Sequence, residues 1–169
     1  MGATPLKPTR IRQVKRNIRV LGLAAAPLGD GFVAVGAVFR GRLGLEGVLC
    51  SESTGGDVTE AFIGALLRSR HLGQVRVIVV DAASLPPGCR VDPVRLAEGS
   101  GKPVLALDAG DEAPDGMLRW GGHSVFCAWL DEADAPGVLD AVSVGGYPEA
   151  LRVAALAAGG LAGLGMHKV

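Results

Sequence analysis

Aromatic residues and cysteine are both scarce in this 169-residue chain. Phe, Trp and Tyr make up 4% of it, so small aliphatic side chains must fill its core. The three cysteines are odd in number, lie far apart and form no CxxC pair, which argues against a disulfide framework or a zinc knuckle and favours reduced, buried thiols. Because 49% of the residues are hydrophobic, the chain can form a folded core, and intrinsic disorder is excluded.

The sequence also lacks a membrane span and a signal peptide. Its longest charge-free apolar run, 153–166, has 14 residues, whereas a helix needs about 20 to cross a bilayer. No apolar segment near the amino terminus is followed by a small-residue cleavage site. We therefore expect a cytoplasmic protein without a membrane partner.

Charge is balanced overall but unevenly distributed. Residues 1–29 hold six basic side chains and no acid, while the rest of the chain has 11 basic against 17 acidic side chains. A basic arm over residues 1–16 can bind phosphates. Alternatively, it docks on the acidic body or on a neighbouring subunit. The candidate nucleic-acid contacts are Lys7, Arg10, Arg12, Lys15 and Arg16.

The order of apolar runs predicts one α/β domain over residues 17–169. Three short strands joined by tight turns form an antiparallel meander, and helices alternate with further, parallel strands after it. This is the chain order of an RNase H-like mixed sheet flanked by helices. We predict strands at 18–25, 32–39, 43–51, 75–80, 104–107 and 125–130, helices at 57–70, 91–98, 135–142 and 148–164, a turn at 27–31 and a loop at 109–124.

Three acidic residues are candidate metal ligands. Asp81 and Asp108 each follow a predicted parallel strand, and Glu60 lies in the first turn of the first helix. Sites in open α/β sheets form beyond the carboxyl ends of the strands, where these carboxylates can share Mg²⁺ or Mn²⁺ and activate water against a phosphodiester. The alternative is that each aspartate forms a turn and Glu60 interacts with the helix dipole.

An ordered set of short motifs resembles a mainly archaeal family named for endonuclease dU, a relative of endonuclease V. The resemblance implies an RNase H-like fold and a metal-dependent nuclease that cleaves DNA near deaminated bases. By position, Glu60 and Asp81 match two carboxylates that hold the metal in that family. The matching stretches are Ile18–Gly22 (IRVLG), Val35–Gly41 (VGAVFRG), Leu45–Leu49 (LEGVL), Asp57–Glu60 (DVTE), Leu72–Asp81 and Pro148–Ala154 (PEALRVA).

The chain departs from that family at three positions. Ala24 and Ala25 replace two acids at the end of the first strand, and Ala155 replaces a histidine in the last helix. Since alanine offers no ligand, the resemblance implies a nuclease whose catalysis is weakened or lost. Three hypotheses stay open: a Mg²⁺- or Mn²⁺-dependent nuclease with a rearranged site, a non-catalytic binder of single-stranded or deaminated DNA without a cofactor, and a homo-oligomeric scaffold assembled through the Ala- and Gly-rich segment 154–165.

Overall fold

The computed structural model describes residues 8–109 and 117–165. Within these residues the strands are β1 Arg19–Leu28, β2 Gly31–Arg40, β3 Gly44–Ser53, β4 Val77–Asp81, β5 Val104–Leu107, β6 Leu118–Trp120, β7 His123–Ala128, β8 Ser143–Val144 and β9 Tyr147–Pro148. The α-helices in the same residues are α1 Thr59–Arg68, α2 Pro93–Ser100, α3 Ala135–Val142 and α4 Glu149–Gly165, and a 3-10 turn spans Ala82–Ser84.

Seven strands form one mixed sheet in the order β3-β2-β1-β4-β5-β7-β6. The first three strands form the predicted antiparallel meander, β4 lies parallel to β1, and β5 lies parallel to β4. Strand β7 then pairs antiparallel with β5. This arrangement confirms the predicted RNase H-like sheet flanked by helices.

The structure differs from the prediction at the turn 27–31 and at the loop 109–124. The predicted turn at 27–31 is shorter, because Pro27 and Leu28 continue β1 and pair with β2. Pairing of β1 with β4 ends at Leu23, so β1 has a neighbour on one side only beyond that point and tolerates a residue without an N–H. The predicted loop at 109–124 contains β6, which forms a hairpin with β7; residues 110–116 of that loop lie outside the described residues.

Alternating side chains of the central strands form one core on each face of the sheet. Val77 and Val79 of β4 face α3 and α4, whereas Ile78 and Val80 face α1 and α2. Helix α4 lies unusually close to β1, because a Cβ at Gly22 would lie 2.4 Å from the backbone carbon of Ala150. Small residues therefore do more than fill space: they set the distance between α4 and the sheet.

The described part of the basic arm lies against the domain. Thr9 forms a parallel bridge with Leu130, and Ile11 is buried in the core. Arg10 donates from Nε to Asp134 Oδ2 at 2.9 Å and from a terminal nitrogen to Oδ1 at 3.3 Å. Arg10 therefore docks on the acidic body, as one of the two alternatives predicted. The side chains of Arg12, Lys15 and Arg16 are exposed, and Lys7 lies outside the described residues.

The cysteine thiols are free, as expected, but the prediction that they are buried is wrong for Cys50. Cys50 is exposed because it lies on the edge strand β3, beyond the part of the sheet that α4 covers. Cys89 and Cys127 are half-buried. Among the described helices, none is both long and apolar enough to cross a membrane.

Candidate active site at the carboxyl ends of the central strands

Asp81 is the last residue of β4, and its carboxylate is held by three protein donors. Oδ1 accepts from the backbone N–H of Ala83 at 3.1 Å, because Asp81 caps the short 3-10 turn that follows the strand. Oδ2 accepts from the hydroxyls of Ser84 at 2.7 Å and Tyr147 at 2.6 Å. The side chain is buried, so these bonds replace the water that a carboxylate requires.

Tyr147 reaches Asp81 from the small β8–β9 hairpin, which the sequence did not predict. Burial, together with donation to the Asp81 carboxylate, raises the pKa of Tyr147 to about 12. The hydroxyl of Ser84 opposes this shift, and the charges of Asp81 and Asp108 add to it. The phenol therefore stays protonated and acts as a hydrogen-bond donor at any physiological pH.

Asp108 directly follows β5 and has a left-handed backbone, with φ +50°, a conformation that aspartate tolerates better than most residues. This turn aims its carboxylate at the start of β7. His123 donates from Nδ1 to Oδ2 at 2.6 Å, and the backbone N–H of Ser124 donates to Oδ1 at 3.0 Å. Burial opposes these donors, but together they lower the pKa of Asp108 below its ordinary value.

His123 joins the two carboxylates into one cluster. Its ring stacks on Trp120 at 5.8 Å between centroids, and it lies 6.0 Å from the Tyr147 ring. Trp120 is fixed in turn, because its indole N–H donates to Asp140 at 2.8 Å. No sequence motif marks His123; the signal is structural, since antiparallel pairing of β7 with β5 carries it to the end of β5.

Ala24 occupies the β1 position beside Asp81. The β1–β4 pairing ends at Leu23 and Val80, and the next residues on the two strands are Ala24 and Asp81. Both side chains lie on the α4 face of the sheet, where Ala24 packs against the core. Ala25 pairs with β2 on the opposite face. An acid at position 24 would therefore approach Asp81, whereas the methyl group supplies no oxygen.

Ala155, a substituted position, and Glu60, a predicted metal ligand, lie outside this cluster. Ala155 is exposed on α4. Glu60 is also exposed and forms a 2.7 Å ion pair with Arg95 of α2. Of the three predicted ligands, the structure thus brings Asp81 and Asp108 to the same cluster and engages Glu60 with the neighbouring helix.

These residues do not fit a shared cation as they are arranged. Asp81, Asp108 and Glu60 each bond to protein groups, and the first-strand position holds a methyl group. Within residues 8–109 and 117–165, no group of three or more His, Cys, Asp or Glu side chains is placed to hold a metal ion. What the cluster offers instead is hydrogen bonding, from Tyr147, Ser84 and the free nitrogen of His123.

A cavity of about 640 Å³ lies on the other face of the same strand ends. Val80, Ala106 and Phe126 contribute to its apolar wall, and Arg90 is among its lining residues. This volume is within the range of small-molecule sites. Burial, with a smaller effect from Asp57, raises the pKa of the Cys89 thiol in its wall, which favours the protonated thiol over the thiolate.

Comparison with known proteins gives relatives in sequence and in fold, although no protein-family model matches. A UPF0215 protein of Methanothermobacter thermautotrophicus is 40% identical over 102 residues, which are 57% of this chain and 50% of that protein. A UPF0215 protein of Methanosarcina barkeri is 34% identical over 121 residues, 63% of this chain and 62% of that protein. The chain thus spans about half the length of the curated relatives it matches.

Solved structures extend the comparison. A protein of unknown function from Archaeoglobus fulgidus has a TM-score of 0.73 at 23% identity, covering 85% of this chain and 98% of its own. Endonuclease V of Bacillus subtilis has a TM-score of 0.61 at 12% identity, covering 90% and 83%. Endonuclease V of Ciona intestinalis, in complex with a DNA that contains inosine, has a TM-score of 0.57 at 10% identity, covering 89% and 86%. The chain therefore has the RNase H-like fold of endonuclease V and is similar in sequence to the archaeal UPF0215 proteins.

Proposed function

We propose that this chain is an endonuclease V-like protein, of the endonuclease dU type, that binds nucleic acid but has weakened or lost metal-dependent cleavage. The observation that carries the proposal is Ala24 beside Asp81. In a metal-dependent nuclease, Mg²⁺ or Mn²⁺ polarises the phosphodiester and activates water. In the family that the chain resembles, an acid at this position on the neighbouring strand would supply a ligand beside Asp81, and alanine removes it.

The hydrogen bonds of Asp81 support the same proposal. Tyr147 and Ser84 occupy Oδ2, so a cation must displace both donors before it gains this oxygen. Displacement would take this partner from the half-buried hydroxyl of Tyr147, whereas the exposed Ser84 can turn to water instead. This arrangement disfavours metal binding in addition to the missing ligand.

Nucleic acid is the proposed partner because the fold is that of proteins that act on it. The Ciona endonuclease V is described in complex with DNA. Single-stranded or deaminated DNA is therefore the first substrate to test.

Titration of Mn²⁺ into the protein, with cleavage of deoxyuridine-containing single-stranded DNA scored in parallel, tests this proposal. We expect weak or no metal uptake by the natural chain, and a gain of metal affinity in the variant Ala24→Asp. Ala24→Asn is the matched control, because it adds similar volume without the charge. Metal-dependent cleavage by the natural chain that Asp81→Ala abolishes would refute the loss of catalysis.

A second candidate, a homo-oligomeric scaffold, is favoured by the outer face of α4. Leu156 and Leu164 are exposed there, and a Cβ at Gly160 or Gly163 would meet nothing within 4 Å. These glycines are therefore not required by the packing of the chain itself. Light scattering distinguishes this candidate, since a strict monomer at high concentration would exclude it.

A further inference from the structure

The amino end of the sheet, opposite to Asp81, gathers basic side chains from separate segments. Arg19 begins β1, Arg40 pairs with it at the end of β2, and Arg76 immediately precedes β4. The backbone N–H of Arg76 donates to the carbonyl of Arg19 at 2.9 Å, so the β1–β4 pairing fixes these two residues side by side. Lys15 lies just before β1, and its carbonyl accepts from the N–H of Ile18 at 3.0 Å.

These segments enclose an open cavity of about 350 Å³. Its polar lining consists of three cations and three amide side chains, and its lining residues include no acid. All six groups can donate hydrogen bonds to an anion. They are Gln13, Lys15, Asn17, Arg19, Gln74 and Arg76.

The positive charge of this cavity is only partly neutralised. Glu46 accepts from Arg19 and from Arg40, each at 2.8 Å, so one carboxylate serves two guanidinium groups. Lys15 and Arg76 form no ion pair with any described residue. Unpaired cations around an open cavity attract anions and are available to bind them.

Arginines at the carboxyl end of the sheet are paired instead. Arg95 is bonded to Glu60, Arg152 to Glu149, and Arg90 lies 3.9 Å from Asp57. The cluster around Asp81 and Asp108 adds further carboxylates at that end. Without a cation, a phosphate chain is repelled there and attracted to the amino end, which is about 16 Å away across the five residues of β4.

We propose that the cavity formed by Lys15, Arg19 and Arg76 binds the phosphate backbone of a single nucleic-acid strand. The planar guanidinium group of Arg76 can bind phosphate oxygens in a bidentate manner, and Arg19, whose Nε is bonded to Glu46, adds positive charge beside it. Because the cavity is open, it admits a phosphate that belongs to a longer chain. A second cavity lies at the end of α1, and its charged lining consists of Arg68, Arg70 and Glu46. This inference rests on the nucleic-acid binding in the proposed function and assigns its location.

Fluorescence anisotropy of a labelled oligothymidylate, measured with EDTA so that metal plays no part, tests the site. The variants are Lys15→Gln and Arg76→Gln, singly and together. Arg119→Gln, on the exposed face of β6, is the control with the same loss of charge. For a single strand, each lost phosphate contact makes the slope of log affinity against log salt concentration shallower by about 0.7. Over the tenfold range from 1 M to 0.1 M salt, this corresponds to a loss of about fivefold in affinity at 0.1 M. We expect about that loss for each single variant and about 25-fold for the pair.

The possible results separate this inference from the proposed function. If the natural chain does not bind the oligonucleotide, both fail. If it binds but both variants bind as tightly as the Arg119→Gln control, only the location at the amino end is refuted. Binding of pyrophosphate without binding of the oligonucleotide would overturn the assignment to a nucleic-acid strand. Circular dichroism of each variant checks that reduced binding is not a loss of folding.

Discussion

Tyr147 is the single tyrosine of the chain, so its ionisation can be followed by absorbance without interference from another phenol. An ordinary tyrosine, with a pKa of about 10, is about nine-tenths phenolate at pH 11. Burial and the bond to Asp81 raise the pKa of Tyr147 to about 12, at which only about one-tenth is phenolate at pH 11. Alkaline titration of the folded protein therefore gives a clear test of the Asp81–Tyr147 contact.

Asp81→Asn identifies how much of this shift comes from the carboxylate. The variant removes the negative charge and keeps the shape, so the pKa of Tyr147 should fall from about 12 towards 10. It should not reach 10, because burial is the largest cause of the shift. Asp30→Asn, at an exposed turn, is the control and should leave the titration unchanged.

Stability should depend on pH in the same range. The unfolded chain loses the phenol proton near pH 10 and the folded chain near pH 12, so this contribution is complete below pH 10 and is lost as pH rises to 12. Urea unfolding at several pH values measures the decline, and circular dichroism confirms the fold during titration. Half-ionisation of Tyr147 near pH 10 in the folded protein would refute the contact and the site built on it.

Further predictions concern packing and the amino-terminal segment. Gly22→Ala should destabilise the protein by at least roughly 1–3 kcal/mol in urea unfolding, because the new Cβ overlaps the backbone of α4; an unchanged midpoint would contradict that close approach. Gly159→Ala is the opposite case, with nothing within 4 Å, and should stabilise α4 by about 0.5–1 kcal/mol. Arg10→Gln should release the segment from the domain and speed trypsin cleavage after Lys15, whereas Arg12→Gln should not; equal cleavage rates would show that the ion pair of Arg10 does not hold the segment.

The central part of the fold could be predicted because its elements carry strong local patterns. Continuous apolar runs indicated the buried strands, and Pro93 marked the first turn of α2. The β6 strand and the β8–β9 hairpin, with strands of three and two residues, are too short to show any periodicity. Their positions depend on pairing with distant parts of the chain.

Only part of the candidate site could be predicted from the sequence. Asp81 and Asp108 follow parallel strands, and the rule that sites form at strand carboxyl ends was enough to place them together. His123 and Tyr147 were missed because their role arises from tertiary pairing and not from any spacing along the sequence. The pairing of Glu60 with Arg95 depends on how α1 packs on α2, which no local pattern specifies.

The two ends of the sheet are completed at different times as the chain is synthesised from its amino terminus. The basic cavity uses no residue beyond Arg76, although closing it requires the pairing of Arg76 with the distant Arg19. The bond between Asp81 and Tyr147 joins residues 66 positions apart and requires the last hairpin to be in place. Because the chain is made from its amino terminus, every residue of the cavity that we assign to phosphate binding is available before Tyr147 of the polar cluster is synthesised.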